Sequence, residues 1–402
     1  MQAIKRLCFG LLVMSLNLLN APLTMAARPV FDPCQGGEAI ATPRTAWMSG
    51  GWGVRIAIPG GRFRRPGEQL SYSHTIDQVA ALSSVRWVML SVTEPSFGGF
   101  FTTYDGELDS IVPEAFPDSD LLLELIEQAR SHGLRVLVYV ASQGPELDFV
   151  TPERASHLKN TRRQFWSAAK EIETTWSDYL TANKDSSQSA FAAIIRRISN
   201  RFGDRIDGWW FDHGQHGRSD LLIPAARSGN EQALVAWNQN HRIQRLTSDS
   251  APIWTLTAST PGTDFTDGHV SPTRNSNGDG RLPWWSGNDV LVRQVETCSS
   301  INGRLPHVFV PAQSTWRGGP GAFPVGQAVN WTKRVVEGGG AMTWAVALDP
   351  PEFSKDRIRP DVYSVLLDVD KEMVKALGER PSNGVQQVSP RQIRGSRVTK
   401  RD

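Results

Sequence analysis

The sequence predicts an α/β protein, a (β/α)8 TIM-like barrel that forms a single main domain. The chain has 402 residues, which is enough for such a barrel, since one needs roughly 250. Eight short apolar runs recur along the chain, each ending in Gly, Pro or polar residues. Stretches with helical periodicity lie between many of these runs, and strands that alternate with helices favour a barrel over a doubly wound sheet.

The eight apolar runs are nearly continuous in Val, Leu, Ile and aromatic residues, which is typical of parallel strands buried on both faces. The predicted strands cover residues 53–58, 85–92, 134–140, 206–211, 252–256, 290–295, 307–311 and 341–346. Predicted helices cover residues 119–132, 161–182, 187–202, 325–337 and 361–377. For the first of these helices, Asp118 or Ser119 is the expected N-cap and Gly133 the expected stop.

The first 27 residues have the pattern of a signal peptide. Lys5 and Arg6 precede an apolar stretch over residues 7–19, and small residues at 24–27 offer a cleavage site. This stretch is short for a membrane span, although an uncleaved N-terminal anchor remains the alternative. We therefore expect a secreted or periplasmic protein with no stable membrane span after cleavage. Residues 28–46 would be an N-terminal extension, 47–378 the barrel and 379–402 a basic, disordered tail.

Composition excludes two broad classes of function. The chain carries 43 basic and 41 acidic residues, which gives a net charge of +2. This charge is too small to indicate a protein that binds nucleic acid through an excess of positive charge. An apolar fraction of 40% excludes a disordered chain. The 14 Trp residues outnumber the 5 Tyr residues, and flat indole faces are used both in cores and in sugar-binding clefts.

After the predicted signal peptide, Cys34 and Cys298 are the only cysteines in the chain. In an oxidising compartment they could form one disulfide bond between the N-terminus and a late segment. Two buried free thiols are the alternative, because a sequence does not give their separation.

Active sites of such barrels lie at the carboxyl ends of the strands, and Asp212 directly follows the run 206–211. Bulky aromatic neighbours, Trp209 and Trp210, lower the dielectric around its carboxylate, which suits attack on an anomeric carbon. The alternative is an N-cap of the next helix. Asp207, at the start of the run, is expected to be structural.

Glycoside hydrolysis needs a second carboxyl group, and Glu296 directly follows the run 290–295. In a retaining enzyme the two groups would approach to about 5 Å. Glu94, Asp264 and Asp267 are rivals for this role, and each could instead be a loop acid that accepts backbone N–H groups.

Further polar and aromatic side chains at the predicted strand ends are expected to contact the substrate. The predicted substrate-binding residues are Trp52, Glu94, Trp210, His213, Asp264, Asp267, His269 and Trp316. Arg62, Arg64 and Arg65 would suit an anionic, sulfated glycan, unless they only form a solvated loop. We predict no cofactor and no metal, although Asp212, His213 and His216 leave a metal-activated water as an alternative.

The segment 207–214, DGWWFDHG, resembles the nucleophile strand of the α-L-fucosidases of glycoside hydrolase family 29. Segments 295–301, 47–61 and 334–344 resemble that family's acid/base segment, its first strand and its Gly-rich final turn. The resemblance implies a retaining glycoside hydrolase that releases a terminal sugar, fucose or a related one, from an oligosaccharide or polysaccharide. Asp212 would be the nucleophile and Glu296 the acid/base.

Two departures from that family predict an altered choice of sugar. The first strand ends in Ile58-Pro59-Gly60 where the family has His-Trp-Gly, and the segment 91–100 lacks the family's Lys-His-His-Asp-Gly-Phe. Without those imidazoles the pocket loses donors for the fucose hydroxyl groups. A catalytically inactive barrel that binds glycans is therefore the second hypothesis, and a metal-assisted hydrolase the third.

Overall fold

The computed structural model describes Cys34 and residues 43–58, 72–93, 101–103, 120–145, 156, 160, 163–239, 243–244, 253–254, 256–269, 284–316, 318–348 and 357–380. All of them belong to one unit that spans residues 33–402. Several predictions lie outside the described residues: the signal peptide, most of the N-terminal extension, the tail beyond residue 380, Glu94, and the arginines at 62, 64 and 65.

A curled sheet of seven parallel strands dominates the described part of the chain, and its order is β5-β4-β3-β2-β1-β11-β8. Two short antiparallel pairs, β6 with β7 and β9 with β10, lie outside this sheet. In chain order the strands are β1 Gly51–Ala57, β2 Trp87–Ser91, β3 Arg135–Ala141, β4 Gly208–Asp212, β5 Leu234–Trp237, β6 Ile243–Gln244, β7 Ile253–Trp254, β8 His307–Pro311, β9 Gln313–Thr315, β10 Gly318–Gly321 and β11 Ala341–Ala347.

The predicted TIM-like α/β class is confirmed, and six of the eight predicted strands belong to the parallel sheet. Two predicted strands are not in the parallel sheet. Residues 253–254 of the run 252–256 form strand β7 of a separate antiparallel pair, and the run 290–295 is helical. The sheet instead contains β5, a four-residue strand that the sequence analysis missed.

Residues 264–269, which we call the bridging segment, connect the two edges of the seven-stranded sheet. On one side, the N–H of Asp264 donates to the carbonyl of Val235 in β5 at 2.8 Å. On the other side, the N–H of Thr266 donates to the carbonyl of Leu305, just before β8, at 3.0 Å. The bridging segment therefore brings its own side chains to the same concave face as the strands.

Helices follow or precede most strands. They are α1 Ser73–Ala80, α2 Leu121–Ser131, α3 Arg163–Asn183, α4 Ser187–Phe202, α5 Ser219–Arg227, α6 Trp284–Thr297, α7 Val325–Glu337 and α8 Pro360–Leu377. The five predicted helices are confirmed as α2, α3, α4, α7 and α8. The N-cap of α2 is Asp120, whose carboxylate accepts the N–H of Leu123 at 3.2 Å, and not Asp118 or Ser119. Gly133 ends this helix with a φ of 73°, as predicted.

Side chains of each strand alternate between two hydrophobic clusters. In β3, Val136, Val138 and Val140 belong to the outer cluster, which packs under the helices. Leu137 and Tyr139 belong to the inner cluster on the concave side of the sheet, together with Trp210. This alternation follows from the two-residue period of a strand, and it decides which residues can reach a site on the concave side.

Cys34 and Cys298 form a disulfide bond, with their Cα atoms 5.3 Å apart. The prediction had left a bridge and two free thiols open, and the structure selects the bridge. The bond fixes the chain before β1 to the residue that follows α6.

Among the helices of the described residues, none is long and apolar enough to cross a membrane.

Candidate active site

Asp212 is the last residue of β4 and is only 5% exposed. Its carboxylate accepts three hydrogen bonds. Tyr139 of β3 donates its hydroxyl to Oδ2. Asn238, directly after β5, donates Nδ2 to Oδ1 at 2.7 Å, and the backbone N–H of His213 donates to the same oxygen at 2.9 Å. Donors from two neighbouring strand ends and from the next residue thus fix the orientation of the carboxylate.

The turn after β4 explains why Asp212 and Asn238 meet. His213 adopts a left-handed conformation with a φ of 52°, and the N–H of Gly214 then donates to the carbonyl of Asn238 at 2.6 Å. A Cβ on Gly214 would lie 2.2 Å from Nε1 of Trp237. Only glycine therefore allows the turn to approach the end of β5 this closely.

The environment of Asp212 stabilises its ionised form. Burial has the largest influence and would by itself raise the pKa of Asp212. The positive charges of His213 and His269 and the hydrogen bonds from Tyr139 and the His213 backbone outweigh it and lower the pKa to about 2. The carboxylate is therefore charged across the physiological pH range.

Asp267 of the bridging segment has the opposite tendency. Burial is the main cause that raises the pKa of Asp267 to about 7, and the negative charge of Asp212 adds to it. A hydrogen bond from the N–H of His269 to Oδ1 at 2.9 Å opposes the shift without cancelling it. Near neutral pH the site thus combines one ionised carboxylate with one carboxyl group that is close to its pKa and can still donate a proton, the pattern of an acid/base pair.

His269 is the last residue of the bridging segment and is half-buried. Its imidazole stacks on the indole of Trp316, with ring centroids 4.3 Å apart and planes 8° apart. Gly268, with a φ of 65°, lets the segment turn here, since a Cβ would lie 2.2 Å from the carbonyl oxygen of His307. Stacking and the turn together hold the imidazole close enough to Asp212 to lower the pKa of the Asp212 carboxyl group.

The strand-end position predicted for Glu296 is wrong. Glu296 lies in the last turn of helix α6, which packs on the outside of the sheet against α7. Both of its carboxylate oxygens accept hydrogen bonds from the guanidinium of Arg334 in α7, each at 2.6 Å. This exposed ion pair joins two outer helices, so the structure gives Glu296 no place beside Asp212.

Asp264, Trp52 and Trp210 occupy structural positions instead of the predicted substrate contacts. Asp264 accepts hydrogen bonds from Arg227 at 2.5 Å and from the N–H of Val235 at 2.8 Å, which anchors the bridging segment to β5. Trp52 is fully buried in the outer cluster, on the far side of the sheet. Trp210 is fully buried under the site, where it stacks on Tyr139 and donates Nε1 to the carbonyl of Asp267 at 2.9 Å.

His213 and Trp316 keep positions compatible with their predicted roles. Nε2 of His213 lies 3.6 Å from Oδ2 of Asp212, and 26% of the His213 side chain is exposed. Trp316 is half-buried beside His269. Asp207 is structural as predicted, because it pairs with Arg130 and Arg135 at the opposite end of the strands. No group of three or more His, Cys, Asp or Glu that could hold a metal occurs among the described residues.

Sequence analysis missed Tyr139 and Asn238. Tyr139 lies inside an apolar run that predicts a buried strand. A buried hydroxyl needs a polar partner, so this tyrosine could have indicated a polar site next to the strand. Asn238 follows β5, the strand that was not recognised, so its position at a strand end could not be inferred.

A family model described as "Endo-alpha(1,4)-fucoidanase Mef1" matches residues 42–382. Among solved structures, the chain is similar to the endo-fucoidan hydrolase P5AFcnA of glycoside hydrolase family 107, with 20% identity and a TM-score of 0.69 over 84% of this chain and 95% of that one. It is also similar to the endo-fucoidan hydrolase MfFcnA4 of the same family, with 19% identity and a TM-score of 0.63 over 87% of this chain. The match covers 55% of MfFcnA4, so the chain spans about half the length of that enzyme.

These similarities show a shared fold. The α-L-fucosidase AlfC from Lactobacillus casei matches less well, with 15% identity and a TM-score of 0.47 over 83% of this chain and 97% of that one. The family model and the family 107 structures support the expected resemblance at the level of fucose-related glycoside hydrolases, and family 29 itself is not confirmed. No curated protein sequence matches the chain.

Proposed function

Since this chain belongs to the Mef1 endo-α(1,4)-fucoidanase family, we propose that it is an endo-acting hydrolase that cleaves α(1,4) links within fucoidan, a sulfated fucose polymer. That it is a glycoside hydrolase follows from its homology to such enzymes. In this proposal the enzyme cleaves bonds within the polysaccharide, whereas the sequence analysis expected it to release a terminal sugar. We also propose that the bridging segment fills the remaining place in the sheet and so completes a barrel.

The observation that carries the proposal is the state of Asp212, an oriented and ionised carboxylate at the end of a strand, with the imidazole of His269 and the carboxyl group of Asp267 close enough to interact with its charge. In the proposed mechanism, an oxygen of Asp212 attacks the anomeric carbon while the bond to the leaving sugar oxygen breaks. The general acid gives its proton to that oxygen. Water, deprotonated by the same group, then cleaves the glycosyl ester and regenerates Asp212, with net retention of configuration.

We assign the general acid/base to His269. Its half-buried imidazole lies at the end of the bridging segment and is close enough to Asp212 for an electrostatic interaction. Histidine is also the residue that most often transfers protons near neutral pH. Asp267 is the rival, because burial raises its pKa to about 7, but its Oδ1 already accepts the N–H of His269. Glu296 is not carried into this mechanism.

The nucleophile is tested by Asp212→Asn, which keeps the shape of the side chain and removes the charge. We expect hydrolysis of fucoidan to fall at least about 10³-fold, because no covalent intermediate can form. The matched control is Asp220→Asn, since Asp220 is exposed and pairs only locally with Arg218. Full activity of Asp212→Asn, with the control unchanged, would refute the assignment.

The acid/base is tested by comparing His269→Gln with Asp267→Asn on two kinds of substrate. The variant that lacks the proton donor should lose about 10²- to 10⁴-fold on fucoidan, yet lose little on an aryl fucoside whose leaving group needs no proton. We expect this split for His269→Gln. If only Asp267→Asn shows it, the roles of the two residues are exchanged.

Two measurements test the reaction class. NMR of the first product should show the α-anomer if configuration is retained, and the β-anomer would contradict Asp212 as a nucleophile. Product sizes should fall to intermediate oligosaccharides first, as internal cleavage requires. A protein that binds fucoidan without cleaving it under any condition would instead fit the glycan-binding hypothesis, and loss of activity on chelation would fit the metal-assisted one.

We further propose that the protein is exported, as the signal-peptide pattern in residues 1–27 indicates. The Cys34–Cys298 bond supports this proposal, because disulfide bonds persist mainly in oxidising compartments. Mass spectrometry of the mature protein should find an N-terminus near residue 28. An intact Met1 would contradict cleavage.

A further inference from the structure

We propose that Arg55 is a positioning residue of this active site: its guanidinium holds the ring of Tyr139, and Tyr139 holds the nucleophile. The proposal rests on the proposed role of Asp212. It goes beyond that role because Arg55 acts on the carboxylate through a second side chain and not by direct contact.

Arg55 lies in the middle of β1 and is only 3% exposed. Its neighbours Val54 and Ile56 belong to the outer cluster under the helices. By the alternation of strand side chains, Arg55 therefore points to the concave side of the sheet, where Tyr139 and Asp212 lie. A buried guanidinium in the apolar interior is costly, so its presence there calls for an interaction that uses the charge.

The contacts run in a chain from Arg55 to the nucleophile. Cζ of Arg55 lies 4.5 Å from the centroid of the Tyr139 ring. The ring also stacks on Trp210, with centroids 5.2 Å apart and planes 18° apart. The hydroxyl of the same ring donates to Oδ2 of Asp212. Tyr139 thus has its ring fixed by two neighbours and its hydroxyl directed at the carboxylate.

The charge of Arg55 gives this contact a chemical effect as well as a geometric one. A cation near the face of a phenol ring attracts its π electrons, which makes the hydroxyl more acidic and a stronger hydrogen-bond donor. Arginine keeps its charge at every relevant pH. The other described groups that face Asp212 are Tyr139, Asn238, His213, Asp267 and His269.

The first test follows Tyr139 directly, without reference to activity. The chain has 5 tyrosines, so the protein labelled with ¹³Cζ-tyrosine gives few NMR signals, and Tyr139→Phe identifies the signal of Tyr139. We expect Arg55→Met to shift this signal and Arg55→Lys to shift it less, because lysine keeps a cation over the ring. Arg135→Met is the matched control, since Arg135 lies at the start of β3, the strand of Tyr139, and its guanidinium contacts Trp47 and Asp207 instead of the Tyr139 ring.

The second test is a double-mutant comparison of activity. We expect Arg55→Met to lower kcat by about 10-fold and to move the acid limb of the pH profile upwards, since a weaker donor stabilises the charge of Asp212 less. In the Tyr139→Phe background the same change should have little further effect. Thermal unfolding of each variant separates these effects from a loss of folding, and Arg55→Lys keeps the test usable if Arg55→Met does not fold.

Three outcomes would overturn the inference. The Tyr139 signal could be unchanged in Arg55→Met, or the loss of activity could be the same with and without the Tyr139 hydroxyl. The loss could also be confined to KM for sulfated substrates, which would make Arg55 a sulfate-binding residue instead. A failure of the proposed function is distinct from all three, because it would appear as full activity of Asp212→Asn while the NMR result stands.

Discussion

Asp212 and Asp267 are the same type of residue, yet their surroundings give them opposite protonation states. Both are desolvated, which by itself raises the pKa of a carboxyl group. Asp212 receives donors from Tyr139, Asn238 and the His213 backbone, whereas the carboxyl of Asp267 has the N–H of His269 and a negatively charged neighbour. The sequence indicates both acids, but it does not show which donors the fold brings to each of them.

The donor from Asn238 can be tested by an isosteric change. Asn238→Asp replaces the N–H group that is 2.7 Å from Oδ1 of Asp212 with an acidic oxygen. Like charges at this distance raise the pKa of the pair, so Asp212 should need a higher pH to ionise. We expect the acid limb of the kcat/KM profile to move up by at least about one pH unit. Asn302→Asp, which alters an amide near α6, should leave the limb in place.

Asp267 makes a prediction about stability. Its pKa is raised to about 7 in the folded protein, so the folded state holds a proton that the unfolded chain releases from about pH 4 upwards. Stability should therefore fall as the pH rises from about 4 to 7. Asp267→Asn removes this dependence. Since three pKa units correspond to about 4 kcal/mol, we expect the variant to be more stable than the natural protein by up to about 4 kcal/mol at pH 8 and similar to it at pH 4. Denaturant unfolding at both pH values measures the difference, and equal curves at pH 8 would contradict the raised pKa.

Strands and helices were predictable where the length of an apolar pattern and its period indicated the same type of element. The long helices α3, α4, α7 and α8 show a clear helical face, and most residues of β1, β2, β3 and β8 are apolar. The run 290–295 was ambiguous, because a short apolar run fits a buried helix as well as a strand. In the structure Leu291, Val292 and Val295 are buried while Arg293 and Glu296 are exposed, which is one face of a helix.

The contacts of the bridging segment with the two edges of the sheet were not predictable. Its residues are mostly polar, and its hydrogen bonds to Val235 and Leu305 depend on neighbours distant in sequence. The same applies to β5, whose four residues LVAW are too short to stand out. The search for acids at predicted strand ends therefore selected two residues. Asp212 lies in the candidate active site, and Glu296 does not.

Gly268 is the residue that gives the bridging segment its shape. Gly268→Ala would force an alanine into a left-handed conformation and place its Cβ against the carbonyl of His307. We expect a loss of about 2–4 kcal/mol of stability and a large loss of activity, because His269 would be displaced. Gly303→Ala is the control, since Gly303 has a φ of 72° but no atom within 4 Å of its Cβ position. If both variants lose equally little stability and activity, steric crowding at Gly268 does not determine the shape of the bridging segment.

The disulfide bond joins residues 264 positions apart, so it constrains a large part of the chain. In the loop-entropy model such a bond destabilises the unfolded state by about 5 kcal/mol. We expect Cys34→Ser with Cys298→Ser, or reduction of the natural protein, to lower the melting temperature clearly. Activity at ambient temperature should persist, because the bond lies outside the site. An unchanged melting temperature on complete reduction would contradict this.

The order of the sheet also bears on how the protein comes to be folded at all. Strand β1, near the start of the described residues, pairs along its whole length with β11, which begins only at residue 341. Until β11 has left the ribosome, one edge of β1 has no neighbour, and pairing across such a distance along the chain is slow. The parallel sheet therefore cannot be completed until this late segment has been made, a delay that would suit the export proposed above.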